Sequence, residues 1–318
     1  QVEDVTSMTS ADDYRVARAH ARELGADVIH AMDHRSDAIA AMLDRRLRIP
    51  AVASFFGWTN FPATSLRGRL YPLVDKFLMR RLRRVIVDSA YVGTRTRLPK
   101  DRVAVIPNGV DLERFNPDTV QGRFKTDWFG REDVTVVGLI GRIHPNKGIL
   151  DLARAAAKLC PRFPNLRFVV LGGTPPGFEA YQAEINALIA ETSLQDRFLV
   201  TNVESREIPA ALASFDITTL PSYMESLSYV MLESMAMRRP VISAKVGGHG
   251  ELIEDGMNGY LIASGDVDAL ADRIATLAQD PNLRAQIAHA ARARIEEQYS
   301  TAAMVARTRA VYEEAQRA

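Results

Sequence analysis

The chain alternates short apolar runs with longer stretches of helical periodicity along nearly its whole length. Most apolar runs are continuous rather than interleaved with polar residues, which is typical of strands buried on both faces. Repeated alternation of such strands with helices predicts parallel sheets joined by right-handed crossovers. The predicted strands are 26–32, 51–56, 84–89, 103–107, 134–141, 166–172, 197–202, 216–222, 240–244 and 258–264, and clear helical pattern covers 149–160, 178–192 and 266–279.

Length and break pattern predict two domains. The chain has 318 residues, and single hydrophobic cores stop growing at about 250–300 residues. Residues 116–133 are polar and interrupted by Pro and Gly, which makes them the best linker candidate. We therefore predict an α/β fold with two Rossmann-like domains. Its parts are a partial N-terminal domain at 1–118, a linker at 119–133, a second domain at 134–298 and a terminal helix at 299–318.

The C-terminal end of the chain has a different pattern. From residue 266 onward it is helical, with breaks near Pro281 and Tyr299 and no predicted strand. Such a run either packs on its own domain or crosses back to brace the other one, and the sequence leaves both arrangements open.

Composition narrows the classes of partner. Lys+Arg 40 against Asp+Glu 39 leaves a net charge of +1, so no overall field favours nucleic acid. The single cysteine, Cys160, excludes an internal disulfide framework and indicates a reducing, cytoplasmic compartment. No apolar run approaches the ~20 residues of a membrane span. The first residues lack an initiator Met and the order of a signal peptide, so we expect a fragment of a longer chain.

The segment 221–242 is the most informative for chemistry. It runs from a strand end through Glu225 into a helix that carries Glu233, and then into a Pro-led strand. Ligands of doubly wound sheets bind outside the carboxyl ends of strands, which is where Glu225 is expected. The backbone N–H groups of Leu227, Ser228 and Tyr229 would form an anion site at the helix N-terminus. The competing interpretation is a capping acid followed by a solvated helix residue.

A second segment, 134–156, places two cations after a buried strand. The strand ends at Gly141, Arg142 follows directly, and Lys147 and Gly148 precede a helix. An arginine fork and a lysine point charge suit a diphosphate. Taken by itself, this spacing also fits two surface charges near a turn.

In this order, the segments resemble the retaining glycosyltransferases of the GT-B fold, family GT4. That family shows Gly-Arg, four intervening residues and Lys-Gly after a strand. Later come two glutamates separated by seven residues, ahead of a Pro-Val-Ile strand. The resemblance is close over 103–262 and loose over 26–102, and its matching segments are 141–148, 225–242, 106–115, 220–226 and 247–262.

The resemblance implies a donor site in the C-terminal half. Arg142 and Lys147 would neutralise the charge of the leaving nucleoside diphosphate. Glu225 would stabilise the transition state near the donor sugar, and Glu233 would accept hydrogen bonds from the ribose diol. The implied donor-binding set is Gly141, Arg142, Lys147, Gly172, Glu225, Ser226, Leu227, Ser228, Tyr229 and Glu233, of which Arg142, Lys147 and Glu225 would be catalytic.

The sequence also departs from the family pattern. Ser226 and Ser228 stand where the family usually has glycine, and Met32 and Phe56 stand where it usually has histidine. The residues assigned to the acceptor and sugar side are His34, Phe56 and Asn108. The family's first strands and Gly-rich acceptor loop have no counterpart before residue 26, so we expect an incomplete N-terminal domain.

The implied reaction transfers a sugar from a UDP-, GDP- or ADP-sugar to an unidentified hydroxyl acceptor, with retention. Neither a cofactor nor a metal is expected, because Arg142, Lys147 and the helix N-terminus would carry the leaving-group charge. Two alternatives stay open. One is a GT-B-like phosphorylase or nucleotide-sugar epimerase, and the other is a sugar-nucleotide-binding protein that has lost catalysis.

Three further signals receive mostly structural interpretations. His30 and His34 lack a third ligand at a recognisable spacing, so no metal site is predicted. Asp266 and Asp268 open a helix, which favours capping over metal binding. The cationic, amphipathic run 67–84 is either a solvated helix that packs on the sheet or a peripheral contact with an anionic membrane.

Overall fold

The computed structural model describes residues 11–57 and 76–317, without the side chains of residues 11, 12, 34 and 35. The chain forms two compact units. One contains the described residues up to Pro107 together with those from Met304 onward, and the other is Asn108–Ala303. The α/β architecture and the two Rossmann-like sheets agree with the prediction from the sequence.

The first unit contains a parallel sheet in the order β1-β2-β3-β4. These strands are Ile29–Ala31, Ala51–Phe55, Arg84–Val87 and Val103–Val105. All five residues of β2 are buried, as its continuous apolar sequence requires. The helices of this unit are Ala11–Glu23, His34–Leu47, Ala90–Thr96 and, from Met304, most of Thr301–Arg317, with helical residues at 76–79 and a 3-10 turn at Lys100–Arg102.

The terminal helix settles one alternative that the sequence left open. Val311 and Ala315 pack with Val52, Ile86 and Ile106 of the first unit. The last helix therefore crosses back. The breaks predicted near Pro281 and Tyr299 are confirmed, because the three terminal helices are Val267–Gln279, Pro281–Gln298 and Thr301–Arg317.

The second unit contains six strands, which are β5 Thr135–Ile140, β6 Leu166–Leu171, β7 Phe198–Thr201, β8 Ile217–Leu220, β9 Val241–Ala244 and β10 Tyr260–Ile262. They form a parallel sheet in the order β10-β9-β8-β5-β6-β7. The chain builds outward from β5 to β7 and then returns to β8 on the other side of β5. Such a reversal creates a crevice at the carboxyl ends of the two central strands, where doubly wound folds bind ligands.

Helices cover both faces of this sheet. Val137 and Leu139 of β5 pack in one buried cluster, and their neighbours Val136 and Ile140 pack in the other, as the alternation of strand side chains requires. The helices are Phe124–Phe129, Ile149–Leu159, Glu179–Glu191, Ile208–Ala213, Tyr229–Ala236, His249–Leu252, Val267–Gln279 and Pro281–Gln298, with 3-10 turns at Pro145–Lys147 and Ser205–Glu207.

The structure differs from the predicted linker at 119–133. This stretch contains the helix Phe124–Phe129 and belongs to the second unit. Phe124 is buried, and its backbone N–H donates to the Ser214 hydroxyl. The Lys125 ammonium lies 2.8 Å from the Asp216 carboxylate. The polar, Gly-containing composition suggested a linker, but tertiary contacts fasten the segment to the domain that follows it.

Candidate active site

The candidate site lies where the sheet of the second unit reverses its order. Arg142 follows β5 by one glycine, and Pro221 directly follows β8. The two strands are hydrogen-bonded neighbours, with Val137 opposite Ile217. The loops after them therefore meet at one edge of the sheet, as predicted for the two sequence segments.

A cation and an anion from these loops form an ion pair. The Lys147 Nζ atom lies 2.5 Å from Glu225 Oε1, and the Ser222 hydroxyl donates to the same oxygen at 3.0 Å. Both charged side chains are largely buried, with exposed fractions of 21% and 14%. Arg142 is exposed, and no hydrogen bond or ion pair of its guanidinium occurs within 11–57 and 76–317. The site thus combines one paired and one available cation.

The turn that carries Lys147 is held in place by local bonds. His144 caps it, because its Nδ1 atom accepts from the backbone N–H of Asn146 at 3.1 Å. Burial lowers the pKa of His144, and the positive charges of Arg142 and Lys147 lower it further. The backbone of this turn also bonds to the β8 loop, since Tyr223 N–H donates to the Asn146 carbonyl at 2.8 Å.

Close packing of the loops explains Gly172 of the predicted set and Gly148, which follows Lys147. Gly148 has φ +67°, and a Cβ atom there would lie 2.1 Å from the Pro221 carbonyl oxygen. A Cβ atom on Gly172, which follows β6, would lie 1.9 Å from the Gly141 carbonyl oxygen. Larger residues would push the loops apart, so glycine is required for this approach.

The loop 226–229 leads into the helix Tyr229–Ala236. Leu227 and Ser228 are buried. Ser228 is the N-cap residue, and its side chain makes no capping hydrogen bond. The first N–H groups of an α-helix have no partner within the helix, and the positive end of the helix dipole favours an anion there. The Gly248 N–H donates to the Ser226 carbonyl at 2.6 Å and fixes the start of the loop.

The structure places Asn108 beneath this loop, in the second unit. Its assignment to the acceptor and sugar side stays a prediction. Asn108 is buried, and its Nδ2 atom donates to the Leu227 carbonyl at 3.3 Å. Its Oδ1 atom accepts from the Tyr229 hydroxyl at 3.1 Å. Asn108 therefore supports the backbone of the loop that the sequence assigned to donor binding.

Glu233 projects from the same helix and is partly buried. Burial raises its pKa to about 7, and the positive charge of Arg114 opposes this rise. No hydrogen-bond partner of its carboxylate occurs in the described part of the chain. A partly buried carboxylate with open acceptor positions suits a ligand that donates hydrogen bonds.

His249 is a residue of this site that sequence reasoning missed. It is fully buried, and its Nδ1 atom lies 2.7 Å from the Ser243 hydroxyl and 3.3 Å from the Ala244 carbonyl oxygen. Burial lowers its pKa to about 4, the negative charge of Glu225 raises it, and Lys147 lowers it. The only sequence signal was a histidine within the matching segment 247–262. The sequence does not show that the folded chain buries this histidine among apolar residues.

The N-terminal candidates lie in the first unit. Phe56 follows β2 and is 39% exposed, and Met32 follows β1 and is 59% exposed. His34 begins a helix, and its side chain lies outside the described residues. His30 is held by two hydrogen bonds, one between Nδ1 and the Tyr312 hydroxyl at 2.6 Å and one between Nε2 and the Ser54 hydroxyl at 2.9 Å. Both ring nitrogens of His30 thus have structural partners.

The remaining sequence signals have mixed outcomes. The capping role of Asp266 is confirmed, since its carboxylate accepts from the Ala269 N–H at 2.9 Å, and Asp268 forms an ion pair with Lys158.

Residues 67–75 of the cationic run lie outside the described residues. Within the described portion of that run, Arg83 pairs with Asp44 at 3.4 Å. Membrane contact through 67–84 stays a prediction. In the described part of the chain, every helix is too short or too polar to cross a bilayer.

Two family models match the chain. Residues 122–294 match the model for glycosyl transferases group 1, and residues 9–114 match the model for Glycosyltransferase Family 4. Together these models cover both units.

Individual relatives agree with the family models. The chain is 30% identical to the alpha-D-kanosaminyltransferase of Streptomyces kanamyceticus, with 92% of this chain and 78% of that protein aligned. It is 36% identical over 198 residues to the D-inositol 3-phosphate glycosyltransferase of Kribbella flavida, of which it spans 46%.

The fold has close counterparts among solved structures. The crystal structure of Anabaena Alr3699/HepE in complex with UDP superposes with a TM-score of 0.83 at 26% identity, covering 96% of this chain and 82% of that one. The same protein in complex with UDP-glucose gives a TM-score of 0.80. From the motifs, the sheet order and these matches, the chain belongs to the group 1 glycosyl transferases and is a GT4-type glycosyltransferase of the GT-B fold.

Proposed function

We propose that this glycosyltransferase uses a nucleoside-diphosphate sugar as donor, transfers the sugar to a hydroxyl acceptor and retains the anomeric configuration. The observation that carries the proposal is the Lys147–Glu225 ion pair at the strand-order reversal. Arg142 and the uncapped helix N-terminus at Ser228 stand on the loops that follow the same two strands. This combination of two cations and helix N–H groups suits a diphosphate.

Uridine is the nucleoside that we favour. Anabaena Alr3699/HepE, 26% identical to this chain, is described in complexes with UDP and with UDP-glucose. GDP- and ADP-sugars are the alternatives, and the acceptor is defined only as a hydroxyl compound.

In the proposed reaction, the bond between the anomeric carbon and the diphosphate oxygen breaks, and the electron pair stays with that oxygen. A new bond forms from the acceptor oxygen to the same carbon, and the acceptor proton ends on the released diphosphate or in solvent. Arg142 and Lys147 stabilise the leaving group, because its negative charge grows in the transition state. The proposal assigns this role to side chains and involves neither a cofactor nor a metal.

Glu225 has a different role in the proposal. A diphosphate would compete with its carboxylate for the Lys147 ammonium, which lies 2.5 Å away in the structure. The displaced carboxylate would then face the donor sugar, where it stabilises positive charge that develops at the anomeric carbon. Glu233 would accept hydrogen bonds from the two ribose hydroxyls.

Release of nucleoside diphosphate tests the proposal. UDP-, GDP- and ADP-glucose are incubated with the full chain, with and without a panel of hydroxyl acceptors, and the released diphosphate is measured. We expect release from one of them, increased by an acceptor and strongly reduced in Lys147→Ala. Lys158→Ala is the matched control, because Lys158 pairs with Asp268 on the surface. Calorimetry that shows no binding of UDP, GDP or ADP would refute the proposal, whereas nucleotide binding without release from any donor would favour a non-catalytic protein.

A further inference from the structure

A cavity of about 300 Å³ opens in the second unit, at the end of its sheet opposite the candidate active site. Asp216 and Pro240 line it directly before the first residues of β8 and β9, so it lies at the amino ends of these strands. The helix Pro281–Gln298 supplies the other wall. The full lining is Asp216, Arg238, Arg239, Pro240, Pro281, Arg284, Ala285, Ala288 and His289.

Two of the charged lining residues already have ionic partners. Arg238 makes a two-point contact with the Asp118 carboxylate at 2.5 and 3.1 Å. The Asp216 carboxylate lies 2.8 Å from the Lys125 ammonium and also accepts from the Val136 N–H at 2.8 Å. The negative charge of Asp216 in the cavity is therefore neutralised by Lys125, which lies outside the cavity lining.

Arg239 and Arg284 differ from these two residues. The Arg239 guanidinium donates to the Met237 and Phe215 carbonyls at 2.9 and 2.8 Å, and Arg284 donates to the Leu277 carbonyl at 2.7 Å. No carboxylate of the described residues forms an ion pair with either guanidinium.

The electrostatic environment agrees with this excess of positive charge. Burial lowers the pKa of Arg239, the positive charges of Arg284 and Arg238 lower it further, and Asp216 acts in the opposite direction. In addition, the Nε atom of Arg238 is buried and has no hydrogen-bond partner in the described chain. Partly buried cations without counterions are costly, and an anion that reaches them recovers part of this cost.

We propose that this cavity is a second ligand site, separate from the donor site, that binds a small phosphate-bearing anion. Arg239 and Arg284 keep guanidinium N–H groups that are not used by the carbonyl contacts, and planar guanidinium forks match phosphate oxygens. A volume of about 300 Å³ accommodates a phosphate or a sugar phosphate.

Thermal unfolding of the full chain at constant ionic strength tests this site. The added anions are inorganic phosphate and glucose 6-phosphate, each compared with chloride. We expect either phosphate to raise the Tm by about 2–4 °C at tenfold excess over its Kd. The comparison of the two anions shows whether free phosphate or a phosphate ester is preferred.

Two substitutions at neighbouring positions of one helix test whether the rise in Tm comes from phosphate bound in the cavity. Ala285→Glu places a carboxylate in the cavity at an exposed helical position that makes no side-chain hydrogen bond. It should abolish the phosphate response and raise the Tm of the unliganded protein, because the new carboxylate compensates the arginines. Gln286→Glu makes the same change in charge one residue along the helix, outside the cavity lining, and should keep the response.

Substitution in the proposed donor site distinguishes phosphate binding there from phosphate binding in the cavity. The double variant Arg142→Ala/Lys147→Ala removes the cations assigned to the diphosphate and should retain the phosphate response. The inference is overturned if neither phosphate raises the Tm above the chloride control. It is equally overturned if Ala285→Glu responds like the wild type, or if the response disappears in the double variant.

Discussion

At the scale of single residues, Glu233 connects protonation to the proposed nucleotide binding. Its pKa of about 7 is raised by burial. Ribose hydroxyls that donate to the carboxylate would favour its ionised form, so binding should release a proton. We expect the affinity for UDP-glucose, or for the GDP- or ADP-sugar that binds, to increase as the pH rises through about 7. Well below the pKa, the affinity should fall about tenfold per pH unit. Calorimetry at several pH values measures this slope.

Glu233→Gln is the control for this prediction. It should remove the pH slope and weaken binding at high pH by about 1–3 kcal/mol, because charge-assisted hydrogen bonds are lost. A nucleotide sugar is the right probe, since its esterified phosphates do not titrate near neutrality. A slope that persists in Glu233→Gln would assign the titration to another group.

Arg142 and Lys147 carry a second prediction at this scale. Arg142→Ala and Lys147→Ala should each reduce turnover more than they weaken binding of the nucleoside, because their charge acts on the leaving diphosphate. Affinities for uridine and for UDP, measured beside kcat, separate the two effects. Equal losses of affinity for uridine and UDP would contradict the assignment.

At the scale of elements, the loop 226–229 depends on a side chain from the distant segment that begins the second unit. Asn108 is buried and bridges the Leu227 carbonyl and the Tyr229 hydroxyl. Asn108→Ala should destabilise the second unit by about 1–2 kcal/mol, since it leaves a buried carbonyl without its donor. It should also weaken UDP binding more than uridine binding, because the loop's N–H groups lose their alignment.

Asn108→Asp refines this test. The aspartate keeps an acceptor for Tyr229 but loses the donor to Leu227, so it should reproduce the loss of UDP affinity. Asn116→Ala is a matched control, because Asn116 accepts from the N–H of Asp118 within its own turn. If Asn108→Ala lowers stability but leaves the ratio of UDP to uridine affinity unchanged, Asn108 has only a structural role.

At the scale of the whole molecule, buried histidines predict how each unit responds to acid. Burial lowers the pKa of His30 in the first unit and of His249 in the second to about 4, from 6.5. As the pH falls below 6.5, the unfolded chain binds these protons first. The stabilisation present above pH 6.5 is therefore lost as the pH approaches 4, by about 3 kcal/mol per histidine.

Glu233 acts in the opposite direction in the second unit. Its folded pKa of about 7 exceeds the ordinary value of 4.5, so proton uptake by the folded state adds stability as the pH falls through this range. The losses and gains in the second unit should nearly cancel. Hydrogen exchange, corrected for intrinsic rates, should thus show greater acid destabilisation in the first unit.

Variants assign this acid response to particular residues. His249→Leu should make the second unit more stable at pH 5 than at pH 7.5, and His30→Gln should flatten the pH response of the first unit. His20→Gln, at a half-exposed position of the first unit, should change neither. Equal acid destabilisation of both units in the wild-type chain would contradict the prediction.

The sequence by itself determined the strands of this protein and the position of its two charged segments at strand ends. All ten predicted strands are present. A short continuous apolar run between two helices is buried on both sides when it forms a strand of a parallel sheet that helices cover on both faces. The two charged segments were predicted to lie at strand ends, and the structure brings Lys147 and Glu225 within 2.5 Å. These results follow from local periodicity and from the general rule that parallel strands align their carboxyl ends.

Only the tertiary structure decided which distant segments share a domain. The local sequence pattern could not assign residues 119–133 or the terminal helix to a domain. Their assignment depends on contacts between distant residues, such as Phe124 with Ser214 and the cluster that contains Val311 and Val52. The same holds for the burial of His249 against Ser243, for Asn108 beneath its loop and for the arginines of the second cavity. Burial and pairing are properties of neighbours that are far apart in sequence, so the physical environment of these residues exists only once the chain has folded.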